Sequence, residues 1–374
     1  MKVVGNHCFA HDGSMCLIED GEVVYWNKEE RLSRVKRDRV PWRVMREMED
    51  NFDLSDVDCF VSSRPRKLIP PETVRNADLL NIQFMDHILD YVLAVYRDWD
   101  VTVIPSHHVC HAANIFYASG FDDAYVLVSD GSGSFDSQGM GIEVETLYYC
   151  KYPAEFKVVY RTINRWMGIT KTMGTISALL GIHPMDNGKT MGLAAYGKEN
   201  PTVPDVYLDI DKVFPDNQKP LKEIRSFDDF VPGFGEYEKV MGQLGQYMGR
   251  RPLPRDILKQ IDETHQNFQE MADVAYMAQR GSSDALLRLL REHMDMNECN
   301  NLCFSGGHAH NCLLNYEIAN TFDDINMFPD PIASDDGLSI GAAKIVWYDR
   351  TKSTAKFPLT DIYGCGLRKD DAAE

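Results

Sequence analysis

Two histidines of this sequence have the spacing of metal ligands. His107 and His111 are four residues apart in a stretch with Ser106 at the position of a helix N-cap. On a helix, residues four apart point in the same direction, so both imidazoles could bind one metal ion. Two histidines packed on a half-buried helix would show the same spacing. A metal ion needs more than two ligands, so a metal site here would require a further ligand from elsewhere in the chain.

An acidic pair near the C-terminal end offers that ligand. Asp335 and Asp336 precede an apolar stretch that is predicted to be helical. An N-capping role would explain one of the two carboxylates. The pair also supplies the carboxylate that a site with two histidines needs.

Three small-residue loops have the composition of phosphate-binding turns. Asp12-Gly13 lies between two predicted strands, and Asp130-Gly131 lies between two more about 120 residues later. Gly306-Gly307 follows a predicted strand and precedes a helix, where bare backbone and the helix N-terminus favour a nucleotide. Lys189 lies near glycines, as a phosphate-binding lysine should, although a surface lysine would look the same. The repeated strand–loop–strand unit predicts a duplicated α/β core with a ligand between its halves.

Composition excludes several classes of protein. The chain has 374 residues, is 44% hydrophobic and carries a formal net charge of −18, which argues against broad attraction to nucleic acid. It has no apolar run of transmembrane length and no signal peptide. Its nine cysteines form no CxxC pair, which predicts free thiols and argues against a structural zinc cluster. We expect a cytoplasmic protein with no membrane partner.

Basic residues are concentrated in one segment of this acidic chain. Residues 31–46 have a local charge of +6, and a second cluster follows at residues 64–67. Such a segment is usually a solvated helical face, but in so acidic a protein it is also a candidate anion site. The basic residues are Arg31, Arg34, Lys36, Arg37, Arg39, Arg43 and Arg46, and then Arg64, Arg66 and Lys67.

The predicted elements divide the chain into two lobes. The first lobe is predicted to comprise residues 1–120 and a C-terminal helix at about 337–350. The second is predicted to comprise residues 121–336, with an irregular insertion at about 200–255. Residues 255–293 are predicted to be mostly helical, with an interruption at 281–283.

These loops resemble, in their order, those of the actin-like ATPase and sugar-kinase superfamily, an α/β fold with two duplicated lobes and a ligand cleft. More specifically, the chain resembles O-carbamoyltransferases of the nodulation-factor, cephamycin and tobramycin type, through their N-terminal, TsaD-like catalytic domain. The similarity covers residues 1 to about 365. The matching stretches are His11-Asp12-Gly13-Ser14, Glu29 to Lys36, His107 to Ala112, Asp130-Gly131, Gly188 to Ala194, Gly306-Gly307 with Asn311, and Asp335 to Gly341.

The resemblance implies a role for each of these residues. His107, His111 and Asp335 would hold a divalent metal, usually iron in this family, and two histidines with one carboxylate suit iron(II). His11 would be the general base near the acceptor hydroxyl. The nucleotide would contact Asp130, Gly131, Lys189, Gly306, Gly307 and Asn311, and the donor would contact Arg34 and Lys36.

The resemblance also implies a donor, which is carbamoyl phosphate or a carbamoyl-adenylate made from it with ATP. Family members usually continue into a YrdC-like domain that makes the adenylate, and this sequence is expected to lack it. Either a separate YrdC-like protein supplies the adenylate or this chain uses carbamoyl phosphate more directly. A second copy of the chain is a further candidate partner.

The acceptor is predicted to be a hydroxymethylated base, such as hydroxymethylcytosine, in DNA. Arg37, Arg39, Arg43 and Arg46 lie beyond the family's Arg34 and Lys36, and backbone phosphates attract such basic segments. The base would have to be flipped out or single-stranded to reach the metal. The alternatives are a small-molecule or sugar hydroxyl and a tRNA threonylcarbamoyl-type reaction. The arginines would then serve carbamoyl phosphate alone, or pair with Glu29, Glu30, Glu47 and Glu49.

Overall fold

The computed structural model describes residues 1–8, 11–63, 87–104, 106–135, 141–164, 167–205, 207, 239, 241–244 and 268–358.

The first sheet is formed by strands between residues 2 and 103. The strands of this sheet are β1 (Lys2–His7), β2 (Ser14–Glu19), β3 (Glu22–Lys28), β4 (Cys59–Ser62) and β5 (Asp100–Val103). Their order is β3-β2-β1-β4-β5. β2 is antiparallel to β1 and β3, whereas β1, β4 and β5 are parallel.

The second sheet repeats this arrangement. Its strands are β6 (Asp123–Ser129), β7 (Glu143–Lys151), β8 (Glu155–Ile163), β9 (Asn301–Ser305) and β10 (Asn326–Pro329). The order β8-β7-β6-β9-β10 matches the first sheet strand for strand, with two antiparallel pairs followed by two parallel ones. The predicted duplication is confirmed, and the fold is that of the actin-like ATPases and sugar kinases. The lobe boundaries stay a prediction.

Helices connect and cover the two sheets. They are α1 (Glu29–Ser33), α2 (Trp42–Asn51), α3 (His87–Val95), α4 (His107–Ser119), α5 (Ile169–Leu179), α6 (Asn187–Ala194), α7 (Phe268–His293), α8 (Cys312–Thr321) and α9 (Leu338–Thr351). Short 3-10 helices precede α8 and α9, at Gly307–His310 and Asp335–Gly337. None of the described helices combines the length and apolar composition that crossing a membrane requires.

Helix α9 packs mainly against the first sheet, and α4 packs mainly against the second. One buried cluster joins Val61 of β4 and Val126 of β6 to Ala113 of α4 and Ala343 of α9. The two helices approach each other at Gly341, where a Cβ atom would lie 1.9 Å from the Cys110 carbonyl oxygen. Only glycine permits so close a contact. This contact holds the helix that carries both histidines beside the turn that carries Asp335.

The predicted interruption at residues 281–283 is wrong, because α7 is continuous from Phe268 to His293. Gly281 packs against the Tyr207 ring, where a Cβ atom would lie 2.5 Å from a ring carbon. The Ser282 hydroxyl donates to the carbonyl oxygen of Gln279 within the helix. Tertiary packing thus outweighs the low helix propensity of glycine and serine. The predicted insertion at 200–255 lies mostly outside the described residues, as do Arg64, Arg66 and Lys67.

Candidate active site

Four side chains converge on one point between the two sheets. Nε2 of His107 and Nε2 of His111 lie 3.4 Å and 3.6 Å from Oδ1 of Asp335. Nε2 of His107 also lies 3.6 Å from Oδ2 of Asp130. The candidate ligand atoms of all four residues lie within 4.8 Å of one another. The structure therefore brings together the three predicted metal ligands and adds Asp130, which sequence reasoning assigned to the nucleotide.

Local structure explains the direction of the two imidazoles. The Ser106 hydroxyl accepts a hydrogen bond from the Val109 amide, which confirms the predicted N-cap. His107 and His111 then share one face of α4. The intervening His108 points elsewhere, with Nδ1 2.8 Å from the Thr146 hydroxyl. Burial lowers the pKa of His108 well below its ordinary value, as expected for a neutral core histidine.

The four converging residues fit a divalent cation. Nε2 of His111 is buried and has no hydrogen-bond partner among the described residues, as a nitrogen reserved for a metal would be. Burial alone would raise the pKa of Asp335, but the neighbouring histidines hold it well below its ordinary value. Imidazole nitrogens with carboxylate oxygens form a donor set that suits several divalent transition metals.

Asp335 also faces the predicted general base. Its Oδ2 lies 3.5 Å from Nε2 of His7, at the end of β1, and 3.9 Å from Nε2 of His11. Burial opposes the charged form of His11, yet the hydrogen bond to Asp12 and the charges of Asp335, Asp12 and Asp130 raise its pKa to about 9. This shift reflects a strong negative potential, which favours a bound cation.

Asp12 orients His11. Its Oδ2 lies 2.8 Å from Nδ1 of His11, and its backbone is in the left-handed region with φ 55°, which aspartate and asparagine tolerate better than most residues. Lys28 lies between the Asp12 carboxylate and that of Asp336, with Nζ 4.0 Å from Asp12 Oδ1 and 3.1 Å from Asp336 Oδ2. The sequence did not lead us to predict that Asp12 orients His11. The signal that could have indicated it is that the two residues are adjacent.

The basic loop, which we define as residues 34–41 between α1 and α2, packs directly against the turn at Asp12 and Gly13. The Gly13 amide donates to the carbonyl oxygen of Asp38, and a Cβ atom on Gly13 would lie 2.4 Å from the Arg39 carbonyl oxygen. Glu29 is buried, and its Oε2 caps α2 by accepting the amides of Arg43 and Val44. The loop that carries Arg34 and Lys36 is therefore held next to His11.

Asp186 lies just before α6 and forms ion pairs with basic side chains of the basic loop and of α6. Its carboxylate lies 2.8 Å from Nζ of Lys189, 2.5 Å from Nη2 of Arg37 and 3.7 Å from Nζ of Lys36. Hydrogen bonds from Lys189 and Arg37 hold the pKa of Asp186 below its ordinary value despite partial burial. Lys36, predicted to contact the donor, and Lys189, predicted to contact the nucleotide, thus lie together at the surface. Arg34 is exposed in the same loop as Lys36.

The other predicted nucleotide residues lie at the ends of β6 and β9. Oδ1 of Asp130 accepts the Gly307 amide at 3.2 Å, and Gly306 has φ +89°, a conformation that favours glycine. Asn311 is buried and fully engaged: it caps α8 through the Leu314 amide and pairs with the Gln279 amide group. A Cβ atom on Gly131 would meet no atom within 4 Å in the described part of the chain.

The four arginines predicted to bind DNA have different surroundings. Arg37 donates to Asp186 and to the Met185 carbonyl oxygen, and Arg43 donates to the Leu32 carbonyl oxygen. Arg39 and Arg46 are exposed and form no ion pair with a carboxylate among the described residues.

Comparison with known proteins assigns the sequence to a family. Residues 72–344 match the family described as Carbamoyltransferase N-terminus, and the chain belongs to that family. It is 26% identical over 387 residues to the nodulation protein NolNO of Sinorhizobium fredii, which covers 98% of this chain and 51% of that protein. It is 26% identical over 279 residues to the nodulation protein NolO of Bradyrhizobium diazoefficiens, covering 72% of this chain and 43% of that protein.

The chain spans about half the length of the curated relatives it matches. Among solved structures, full-length HypF in its phosphate- and nucleotide-bound form superposes with a TM-score of 0.51 at 12% identity, covering 94% of this chain and 47% of that one. This similarity agrees with the fold assigned from the strand order.

Proposed function

We propose that this chain is the catalytic part of an enzyme that transfers a carbamoyl group from a phosphate-activated donor to an acceptor hydroxyl. The observation that carries the proposal is the position of His11, whose Nε2 lies 3.9 Å from the carboxylate shared with His107 and His111. A proton acceptor thus borders a candidate cation site. Membership of the carbamoyltransferase family supports carbamoyl as the transferred group.

The proposal includes a divalent metal held by His107, His111, Asp335 and Asp130, with iron(II) as the first candidate. When bound, such a metal supplies Lewis-acid stabilisation of negative charge that develops on the carbamoyl oxygen. The chain itself handles the proton. The carboxylates around His11 raise its pKa to about 9, and a divalent cation bound beside Asp335 would lower that pKa again and favour the neutral ring. With Nδ1–H donating to Asp12, Nε2 would then be free to take the proton of the attacking hydroxyl. The new carbon–oxygen bond forms as the phosphate-linked oxygen leaves.

The donor is proposed to be carbamoyl phosphate or carbamoyl-adenylate. Lys36, Arg37 and Lys189 form a cationic group around Asp186, and the basic loop packs on the turn that carries His11. A phosphate held there would be bound by the same loop that packs on the His11 turn. Whether a separate YrdC-like protein supplies the adenylate is decided by the assay below.

The acceptor is proposed to be a small molecule with a sugar or other hydroxyl. Two relatives are nodulation proteins, which supports the nodulation- and antibiotic-type acceptors. Arg37 and Arg43 are also engaged within the protein, which leaves them less able to bind DNA. DNA with a hydroxymethylated base is a second candidate because Arg39 and Arg46 are exposed.

The test is a mass measurement on purified acceptors incubated with the chain, ATP, carbamoyl phosphate and iron(II), with and without a YrdC-like enzyme. Carbamoyl transfer adds about 43 Da to the acceptor, and the His11→Asn variant should not produce this gain. A gain of about 80 Da would instead indicate phosphoryl transfer, as in a sugar kinase, and would refute the proposal.

A further inference from the structure

The two ring nitrogens of His111 face different groups. Nε2 faces Oδ1 of Asp335 at 3.6 Å, on the side of the candidate metal site. Nδ1 faces the Ser305 hydroxyl at 3.4 Å. Ser305 is fully buried at the end of β9, so this contact joins the second sheet to the helix that carries the ligand.

The direction of the hydrogen bonds around Ser305 is fixed by its neighbour. The Ser305 hydroxyl donates to Oδ2 of Asp330 at 2.5 Å. A hydroxyl has one proton to donate, so its oxygen can only accept from His111. Nδ1 of His111 therefore carries the hydrogen, and the lone pair of Nε2 points toward the metal site.

Asp330 is itself held firmly. It follows β10 and is buried, and its Oδ1 accepts the Ile332 amide at 2.9 Å. The side-chain amide of Asn114 lies 3.2 Å from Oδ2 and 3.3 Å from Oδ1. Asn114 is on α4, one turn beyond His111. The carboxylate thus fixes the helix and, through Ser305, the ring on that helix.

We propose that Asp330 and Ser305 are positioning residues that fix the tautomer and orientation of His111 as a metal ligand. This inference rests on the metal site of the proposed function. Outer-shell partners of this kind orient metal-binding histidines and strengthen their binding, and their loss typically costs about 10- to 100-fold in metal affinity. Neither residue belongs to the motifs through which the sequence resembles its family.

The test is equilibrium titration of metal-stripped protein with Co²⁺, followed by the visible absorbance of the bound ion. Ser305→Ala should weaken Co²⁺ binding about 10- to 100-fold, and Asp330→Asn should weaken it as well. The matched control is Ser177→Ala, which removes a buried hydroxyl that pairs with Thr190 far from the histidines in sequence. His111→Ala is the reference for a lost ligand.

The thermal midpoint of each metal-free variant separates positioning from folding. A purely structural role would lower that midpoint and leave Co²⁺ affinity like that of Ser177→Ala, and this result would overturn the inference. If Ser305→Ala does not fold, wild-type Co²⁺ affinity in Asp330→Asn would overturn it equally. A wild-type chain that binds no Co²⁺ would overturn the metal site itself, which distinguishes the two failures.

Discussion

Nε2 of His11 lies 3.9 Å from Oδ2 of Asp335, and the other oxygen of the same carboxylate faces His107 and His111. One side chain therefore separates the proposed base from the proposed metal. A substitution of Asp335 would disturb both functions at once. Variants at His11 and at the two ligand histidines are needed to separate them.

The first prediction concerns metal binding. His107→Ala and His111→Ala should each remove a ligand, so metal affinity should fall by more than the ~10- to 100-fold expected for an outer-shell partner, and transfer should be lost. Metal content after reconstitution and dialysis measures this. The control is His293→Ala, at the end of α7, where the ring contacts Tyr160. A double His107→Ala, His111→Ala variant that retains stoichiometric metal would disprove the assignment.

The second prediction concerns proton transfer. His11→Asn should lower kcat by about 10²- to 10⁴-fold because the acceptor hydroxyl loses its base. Asp12→Asn should cause a smaller loss, since asparagine tolerates the left-handed backbone at this position but no longer fixes the imidazole through a charged group. Neither variant should abolish metal binding. Wild-type kcat in His11→Asn would exclude this residue as the base.

The third prediction concerns the cations around Asp186. Lys189→Ala should weaken ATP binding about 5-fold, the scale of one exposed charge pair. Asp186→Asn should instead strengthen ATP binding at low salt, because it removes the carboxylate that competes with phosphate for Lys36, Arg37 and Lys189. Fluorescence titration with a labelled ATP analogue measures both. Effects of the same sign would mean that Asp186 only ties the basic loop to α6.

Much of the fold, and the candidate status of several residues that the structure brings together, could be predicted from the sequence because local signals agreed. The Ser106 cap, the helical spacing of His107 and His111, and the Asp-Gly loops each have a local physical cause. The repeated order of those loops was enough to predict the duplicated sheets. The structure then placed Asp335 beside the histidines through the close approach of α4 and α9 at Gly341.

Other features could not be predicted because they depend on long-range packing. The loop position of Asp130 predicts a nucleotide contact, whereas the packing of α4 against β6 brings its carboxylate to His107. The contact of Arg37 with Asp186 joins segments that share no pattern. Gly281 does not break α7, and the Tyr207 ring that packs on it is distant in sequence.

The fourth prediction concerns stability and pH. Burial raises the pKa of Glu145 from 4.5 to about 7, although the Thr170 amide donates to it. The folded chain therefore holds this proton more tightly than the unfolded chain, so this group makes stability fall as pH rises from about 4.5 to about 7. Glu145→Gln mimics the protonated form and should be about 3 kcal/mol more stable than wild type at pH 8.

At pH 4.5 the same two proteins should differ far less, because Glu145 is then largely protonated in the folded chain. Urea unfolding at both pH values measures the difference. Ser177→Ala, at a buried hydroxyl on α5, provides a control whose effect should not change with pH. Equal stability differences for Glu145→Gln at pH 4.5 and pH 8 would contradict the raised pKa.

The last prediction concerns the acceptor. We expect only small hydroxyl-bearing molecules to gain about 43 Da when they compete with hydroxymethylcytosine DNA. The double variant Arg39→Glu, Arg46→Glu should then transfer at the wild-type rate, since both side chains are exposed and form no ion pair with a described carboxylate. The charge-matched control is Lys151→Glu, Lys157→Glu, on the exposed surface of β7 and β8. The opposite result would be that the DNA gains the mass. If, in addition, only the arginine variant loses DNA affinity, and its DNA affinity depends less steeply on salt concentration, phosphate contacts at these arginines would be established. DNA would then replace the small molecule as the acceptor.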